Sequence, residues 1–227
     1  MIKLIRGIIE FRKTRRPLVM DTFARLALGQ SPDCLFVACS DSRVAVNVFA
    51  STDPGDLFVI RNVGNIIPKH PNSGSTVAGL EYALKVLNVR HVIVCGHSDC
   101  GAIRALAQVP GLLPEGPLRR WLRHAEAIAQ TGETSLDDLS KKNVVHQMAN
   151  LFTHPVVKER VTSGTLSLHG IWFDIRKADV YYLEGDTFVL IDDSEGNKIL
   201  EQLKAETPPS DNFTAKTSSP PDQSGNN

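Results

Sequence analysis

Three short, almost wholly apolar runs constrain this chain more than any other feature: Cys34-Leu35-Phe36-Val37-Ala38-Cys39, Leu57-Phe58-Val59-Ile60 and His91-Val92-Ile93-Val94-Cys95. A strand without polar alternation is buried on both faces, and that burial requires helices above and below a mostly parallel sheet. The intervening segments supply them. Val77, Leu80, Leu84 and Leu87 recur at helical spacing and predict a helix over about 75–88. Ala102–Ala107, Trp121–Ala129 and Leu139–Val161 are rich in helix formers. Leu166–Ile175 reads as a fourth strand, and Val180–Leu183 with Thr187–Ile191 as an edge hairpin turning at Gly185-Asp186. The expected fold is therefore α/β, with a mostly parallel central sheet flanked by helices.

Ahead of the first strand lies a helical arm. Leu4, Ile5, Ile8, Ile9 and Phe11 form a stripe, Arg15-Arg16-Pro17 predicts a break at which Pro17 starts a second helix, and Gly29 ends it. An arm with this much apolar surface and no core of its own is expected to pack on a second subunit. From Thr207 onward, Pro208-Pro209-Ser210 and Ser218-Ser219-Pro220-Pro221 offer almost nothing to bury. Residues 1–30 are thus expected to form an N-terminal dimerisation arm, 31–204 the main domain and 205–227 a disordered tail.

At 227 residues the chain is long enough for one large core. Its 25 basic and 25 acidic side chains cancel, so no overall field attracts nucleic acid or an anionic membrane. Arg12-Lys13 and Arg15-Arg16 lack interleaved aromatics and read as a solvated helix face. No apolar run reaches the roughly 20 residues needed to span a bilayer. Charges interrupt the first six residues too often for a secretory signal, and four cysteines are too few for a disulfide scaffold. A reducing, cytoplasmic setting is expected, with Cys34 and Cys95 as buried small hydrophobes.

In parallel sheets ligands collect at the carboxyl ends of strands. Cys39 ends one predicted strand, and His97 and Cys100 follow another in Gly96-His97-Ser98-Asp99-Cys100-Gly101. Two thiolates and an imidazole are a good zinc set, and three protein ligands leave a fourth position open for a water that the metal acidifies. The plainer reading is a buried thiol pair beside a hydrogen-bonded histidine. Asp41 and Arg43, in Cys39-Ser40-Asp41-Ser42-Arg43, are either a turn-forming acid with a paired base or a working dyad. In the dyad Asp41 accepts a hydrogen bond from that water while Arg43 holds Asp41 off the metal. Three rival readings compete, and the first overlaps these residues. Gly96-His97-Ser98-Asp99 approximates a nucleophile elbow but has Cys100 where glycine belongs. His124-Ala125-Glu126 matches half of a zinc deaminase signature with no Pro-Cys-x-x-Cys to follow, and fits an exposed helix face better. A structural zinc module needs a fourth protein donor, for which only Asp41 is locally available. His169 reads as a satisfied core or interface histidine.

Together these motifs resemble the β-class carbonic anhydrases. The likeness extends through Phe58-Val59-Ile60-Arg61-Asn62-Val63-Gly64-Asn65 and Glu81-Tyr82-Ala83, and covers roughly residues 1–200. It implies a zinc enzyme interconverting carbon dioxide and bicarbonate, with Cys39, His97 and Cys100 as metal ligands and Asp41 and Arg43 as the catalytic dyad. It further implies that Gln30 hydrogen-bonds substrate and that Phe58, Val63 and Tyr82 line an apolar carbon dioxide pocket. Active sites at a dimer interface, in a dimer or tetramer wrapped by the arm, are implied too. The family's bacterial and cyanobacterial members are closest, and some also carry C-terminal extensions. That makes a carbon-fixing assembly or microcompartment a candidate partner for the tail. A branch with regulatory bicarbonate has tryptophan where Phe36 stands, so that regulation is not expected here.

Overall fold

A computed structural model of the chain describes residues 1–107, 114–131 and 135–206. The arm is formed by α1 (Ile2–Glu10) and α2 (Arg16–Leu26). Pro17 has no N–H to donate, and its ring would collide with the carbonyl four residues back in a regular helix. The chain meets this by widening rather than breaking. Phe11–Arg15 is π-helical, and the Arg16 N–H reaches back five residues to the Phe11 carbonyl. No residue of the arm's helical segments is buried, and Ile2, Leu4, Ile5, Ile8, Ile9 and Phe11 all face solvent in the single chain.

The body contains β1 (Cys34–Cys39), α3 (Val46–Phe49), β2 (Leu57–Asn62), α4 (Ser75–Lys85) and β3 (His91–His97), followed by α5 (Gly101–Ala107) and α6 (Pro117–Leu122). A 3-10 stretch over Arg123–Thr131 leads to α7 (Leu136–Leu151), α8 (Pro155–Thr162), β4 (Ser167–Asp174), β5 (Asp179–Glu184) and β6 (Thr187–Leu190). The six strands lie in the order β2-β1-β3-β4-β5-β6. Pairings among the first four are parallel, and β5 and β6 add an antiparallel edge. β1 runs apolar because it is enclosed on all sides, and each of its residues is buried. Its neighbours in the sheet are β2 on one flank and β3 on the other, so the winding direction reverses at its carboxyl end. Such a switch point opens a crevice between strand ends.

One face of the sheet packs Leu35, Val37, Val92 and Val94 against Leu80 and Leu84 of α4, Val144 and Leu151 of α7 and Val157 of α8. Phe36, Ala38, Cys95 and Phe173 occupy the other face with Val44, Val46 and Phe49. A third cluster sits at the carboxyl rim, where Cys39 and Cys100 join Ile66, Ile103, Leu122, Ile128 and Leu139. Gly96 lets α7 come close to β3, since a Cβ there would meet the Val144 side chain at 2.6 Å and the Ser140 carbonyl at 3.2 Å.

A second compact unit begins at Ile191, and its described part holds α9 (Asp193–Glu206), whose first turn is capped by Asp192 through the Glu195 N–H at 2.8 Å. The sequence boundary expected at 204 and 205 thus falls inside a helix, because Ile199, Leu200 and Leu203 extend apolar helical spacing beyond the sheet. Residues 207–227, the remainder of the expected tail, lie outside the described residues. No helix among the described residues is long and apolar enough to cross a membrane.

Candidate metal centre

Cys39 is the last residue of β1, and His97 the last of β3. The turn after β3 carries Cys100 to the start of α5, with Asp99 in the left-handed region at φ 54°. The ligating atoms of Cys39, His97 and Cys100 all lie within 4.8 Å of one another, and all three residues are buried. Among the described residues this is the only such group of three or more potential donors.

The histidine is prepared as a ligand. Its Nδ1 lies 2.9 Å from the Ser98 carbonyl, which can only accept, so Nδ1 carries the proton and donates it. Nε2 is then an acceptor, fully buried, with no hydrogen-bond partner among the protein atoms. An orphaned buried nitrogen is costly. Facing two thiols, it fits a soft divalent cation and little else. The ring's backbone is pinned as well, since the Ser140 hydroxyl donates to the His97 carbonyl at 2.7 Å.

The two sulfurs act as a pair. Cys39 is driven toward the thiolate, first because Cys100 donates to it, with the Gly64 and Asp41 N–H groups adding to that and burial opposing it. Cys100 is pushed up by the same contact, although the Ile103 and Ala102 N–H groups at the start of α5 favour its anion. A divalent cation would resolve this competition by taking both as thiolates. Cys34, pushed up to about 11 by burial, and fully buried Cys95 have the character of inert core thiols, as expected.

Asp41 and Arg43 form the expected pair. Asp41 Oδ1 accepts from the Arg43 backbone N–H and Nε, both at 3.0 Å, and Oδ2 accepts from Nη2 at 2.8 Å. This grip holds the Asp41 carboxyl well below the usual carboxylate range, with its own burial opposing. Arg43 is anchored from behind by Asp99, with Nη1 on Oδ2 and Nη2 on the backbone carbonyl, both at 3.1 Å. Asp99 in turn receives Arg104 and donates its N–H to Asp137 at 3.0 Å. With both oxygens bonded to Arg43, Asp41 stands outside the cluster of Cys39, His97 and Cys100.

Sequence reasoning missed Arg61. Its guanidinium donates to the Cys39 carbonyl at 2.9 and 3.1 Å and to the Asp41 carbonyl at 2.7 Å, fixing the backbone that carries ligand and acid. Gly64 was missed too, and its N–H lies 3.4 Å from Cys39 Sγ. An arginine ending an apolar strand was the one available signal.

The residues that the resemblance implies for an apolar pocket lie at two levels of the sheet. Val63 follows β2 beside the centre and is partly exposed. Phe58 and Tyr82 contact each other with ring centroids 5.7 Å apart, but Phe58 pairs with Leu35 whereas Asn62 pairs with Cys39. Phe58 is therefore about 13 Å along the strand from the level of the metal ligands. Exposed Gln30 likewise precedes the amino end of β1. Within one chain these three residues are not gathered at the cluster, and the implied placement of active sites at a dimer interface leaves their pocket role to a second subunit.

The rival motifs do not hold. Ser98 is buried, and its hydroxyl accepts the Ile175 N–H at 2.9 Å, which occupies the oxygen an elbow nucleophile would present. His124 is half-buried against Trp121 rather than on an exposed face, and is not in the cluster. His169 is a buried partner of His91 and Tyr182 at 3.1 and 3.0 Å.

Residues 34–180 match the family model described as carbonic anhydrase. A carbonic anhydrase of Pseudomonas aeruginosa is 41% identical over 194 residues, covering 82% of this chain and 88% of its own. The solved β-carbonic anhydrase CcaA superposes with a TM-score of 0.80 at 38% identity, covering 85% of this chain and 92% of that one. A structure from Sordaria macrospora, described as one of two tetrameric β-carbonic anhydrases, gives a TM-score of 0.68 at 29% identity over 80% of this chain and 95% of its own.

Proposed function

The chain belongs to the β-class carbonic anhydrase family and catalyses the reversible hydration of carbon dioxide to bicarbonate and a proton; on that premise, we propose that zinc is its metal, held by Cys39, His97 and Cys100. The observation that carries this is the buried, unpartnered Nε2 of His97 beside two sulfurs. When bound there, zinc supplies a Lewis acid with one open position, at which a water ionises near neutral pH.

Asp41 is the hydrogen-bond acceptor that orients the nucleophile. Oδ2 takes one hydrogen bond from Arg43 and keeps a lone pair free. By accepting the hydrogen of the attacking oxygen, it turns that oxygen's lone pair toward carbon. Arg43 keeps Asp41 ionised and turned from the ligands, and Asp99 holds Arg43 in place. The proton released in the overall reaction passes to solvent.

Val63 borders the centre of its own chain. Phe58, Tyr82 and Gln30 serve instead the centre of a second copy. Three features support this arrangement: the separation of these residues from their own ligands, the half-exposed Tyr82, and an arm with no buried residue. A dimer joined by exchanged arms, or a tetramer of two such dimers, covers these surfaces together. The free state of all four cysteines supports a reducing, cytoplasmic setting.

Stopped-flow carbon dioxide hydration, with and without a chelator that strips the metal, tests the assignment. Metal-replete protein should turn over rapidly, stripped protein should not, and added zinc should restore the rate. Equal rates before and after stripping would refute it.

A further inference from the structure

Helix α7 carries a polar stripe in a place where helices are normally apolar. Asn143, Gln147 and Asn150 follow one another at helical spacing on one face, and each is fully buried. Burying three amides is costly unless every one finds partners. Three of their bonds go to the loop that follows β2, and two join the amides to one another. Asn143 Nδ2 donates to the Gly64 carbonyl at 3.0 Å. Gln147 Oε1 accepts the Ile67 N–H at 2.8 Å, and Asn150 Nδ2 donates to the Ile67 carbonyl at 3.0 Å. Within the stripe, Gln147 Nε2 donates to Asn143 Oδ1 at 2.8 Å, and Asn150 Nδ2 donates to Gln147 Oε1 at 3.0 Å.

The orientation of these amides is fixed by their ends. The Ile67 N–H can only donate, so Gln147 must present its oxygen there and its NH2 group to Asn143. Asn143 must then present its own oxygen to Gln147 and its NH2 group to Gly64, whose carbonyl can only accept. Flipping Asn143 would break two bonds at once, and flipping Gln147 three. The stripe is a directional clamp, and its far end closes on Gly64.

Gly64 is where the clamp meets the metal centre. Its carbonyl is held by Asn143, while its N–H lies 3.4 Å from Cys39 Sγ. It sits at φ +85°, and a Cβ would come within 3.0 Å of Ala102, so the loop has little room for any other path. An N–H directed at a ligand sulfur draws charge from the thiolate and tunes the metal that thiolate binds.

We propose that Asn143 is a positioning residue of the metal centre: by holding the Gly64 carbonyl, it keeps the Gly64 N–H on Cys39 Sγ and sets the donor strength of that sulfur. This rests on the reading of Cys39 as a metal ligand. The hydrogen bonds of Asn143 go to Gly64 and Gln147, and its effect on Cys39 passes through one backbone residue.

The test uses full-length protein loaded with cobalt(II), whose thiolate-to-metal charge-transfer absorption reports on sulfur. Asn143→Leu removes the donor at similar volume. It should shift that absorption and speed metal release to a chelator by about 10- to 100-fold. Asn150→Leu is the control, because it loosens the same loop at Ile67 and leaves the Gly64 contact in place. It should lower thermal stability without moving the absorption. Wild-type absorption and release in Asn143→Leu, or equal shifts in both variants, would overturn the proposal. Asn143→Ser, which leaves room for a bridging water, replaces Asn143→Leu if the latter does not fold. The unmodified protein gives a further arm. Loaded with cadmium-113, it should show scalar coupling between the metal and the Gly64 amide proton, and no coupling at that proton would also overturn the proposal. Protein that takes up no cobalt would refute the metal reading beneath it, whereas a cobalt-thiolate absorption indifferent to position 143 refutes this inference alone.

Discussion

Replacing His97 with alanine is expected to abolish metal binding and to lower carbon dioxide hydration by at least about three orders of magnitude. The reason is geometric. His97 supplies the one nitrogen of the cluster, its ring is fully buried, and among the described residues no fourth His, Cys, Asp or Glu joins the group. Two thiolates alone form an incomplete site. The substitution also empties a buried volume and removes the Nδ1 bond to Ser98, so a stability loss of roughly 2–4 kcal/mol should accompany it. Elemental analysis and thermal unfolding separate the two effects. The variant should remain folded at low temperature yet hold far less than one zinc per chain. Retention of a full complement of zinc would show that the histidine is not a ligand.

Asp41→Asn should give the opposite pattern. Zinc content stays near one per chain, because Asp41 is not in the cluster, while activity falls by about 10²- to 10⁴-fold. Asparagine keeps the shape but offers one acceptor oxygen where Arg43 now finds two, and it turns a donor toward a guanidinium that is itself all donors. Arg43 would keep only its anchors on Asp99. If the variant loses zinc as readily as His97→Ala does, Asp41 is a ligand and the role given to it here is wrong. The direction of its pKa shift adds a constraint. Arg43's hydrogen bonds place the folded-state value below the unfolded one, about 3.9. The pair's contribution to stability is therefore complete above about pH 4 and is lost as pH falls through the folded value. Asp41 is ionised throughout the neutral range, so any rise in hydration rate between pH 6 and 9 comes from another group.

Much of this architecture is legible in the chain because fully enclosed strands are written in apolar residues alone. Cys34–Cys39 is read to the residue, and so is the turn at Gly185 that joins β5 to β6. The ligand set is legible for a related reason: in a parallel sheet, residues ending adjacent strands meet at one rim whatever their separation in sequence. The rest depends on contacts that leave no periodic trace. Arg61 and Asn143 act on backbone carbonyls, and which carbonyl a long polar side chain reaches is settled only by tertiary packing. The resemblance groups Phe58 with Tyr82, and their rings do meet, but it does not say which end of β2 Phe58 occupies, and the register puts it at the end far from Cys39. Pro17 predicted a break, where a widened turn absorbs the missing hydrogen bond at less cost. Helix α9 escaped notice because its many charged side chains and Gly196 mask the apolar spacing of Ile199, Leu200 and Leu203.

The central claim is that three protein donors hold one metal and leave one position to solvent. X-ray absorption spectroscopy at the zinc edge, on protein purified with its metal, tests this directly. It should find two sulfurs at about 2.3 Å, one imidazole nitrogen at about 2.0 Å and one oxygen from water. A fourth protein donor in place of that oxygen, or a zinc environment without sulfur, would contradict it.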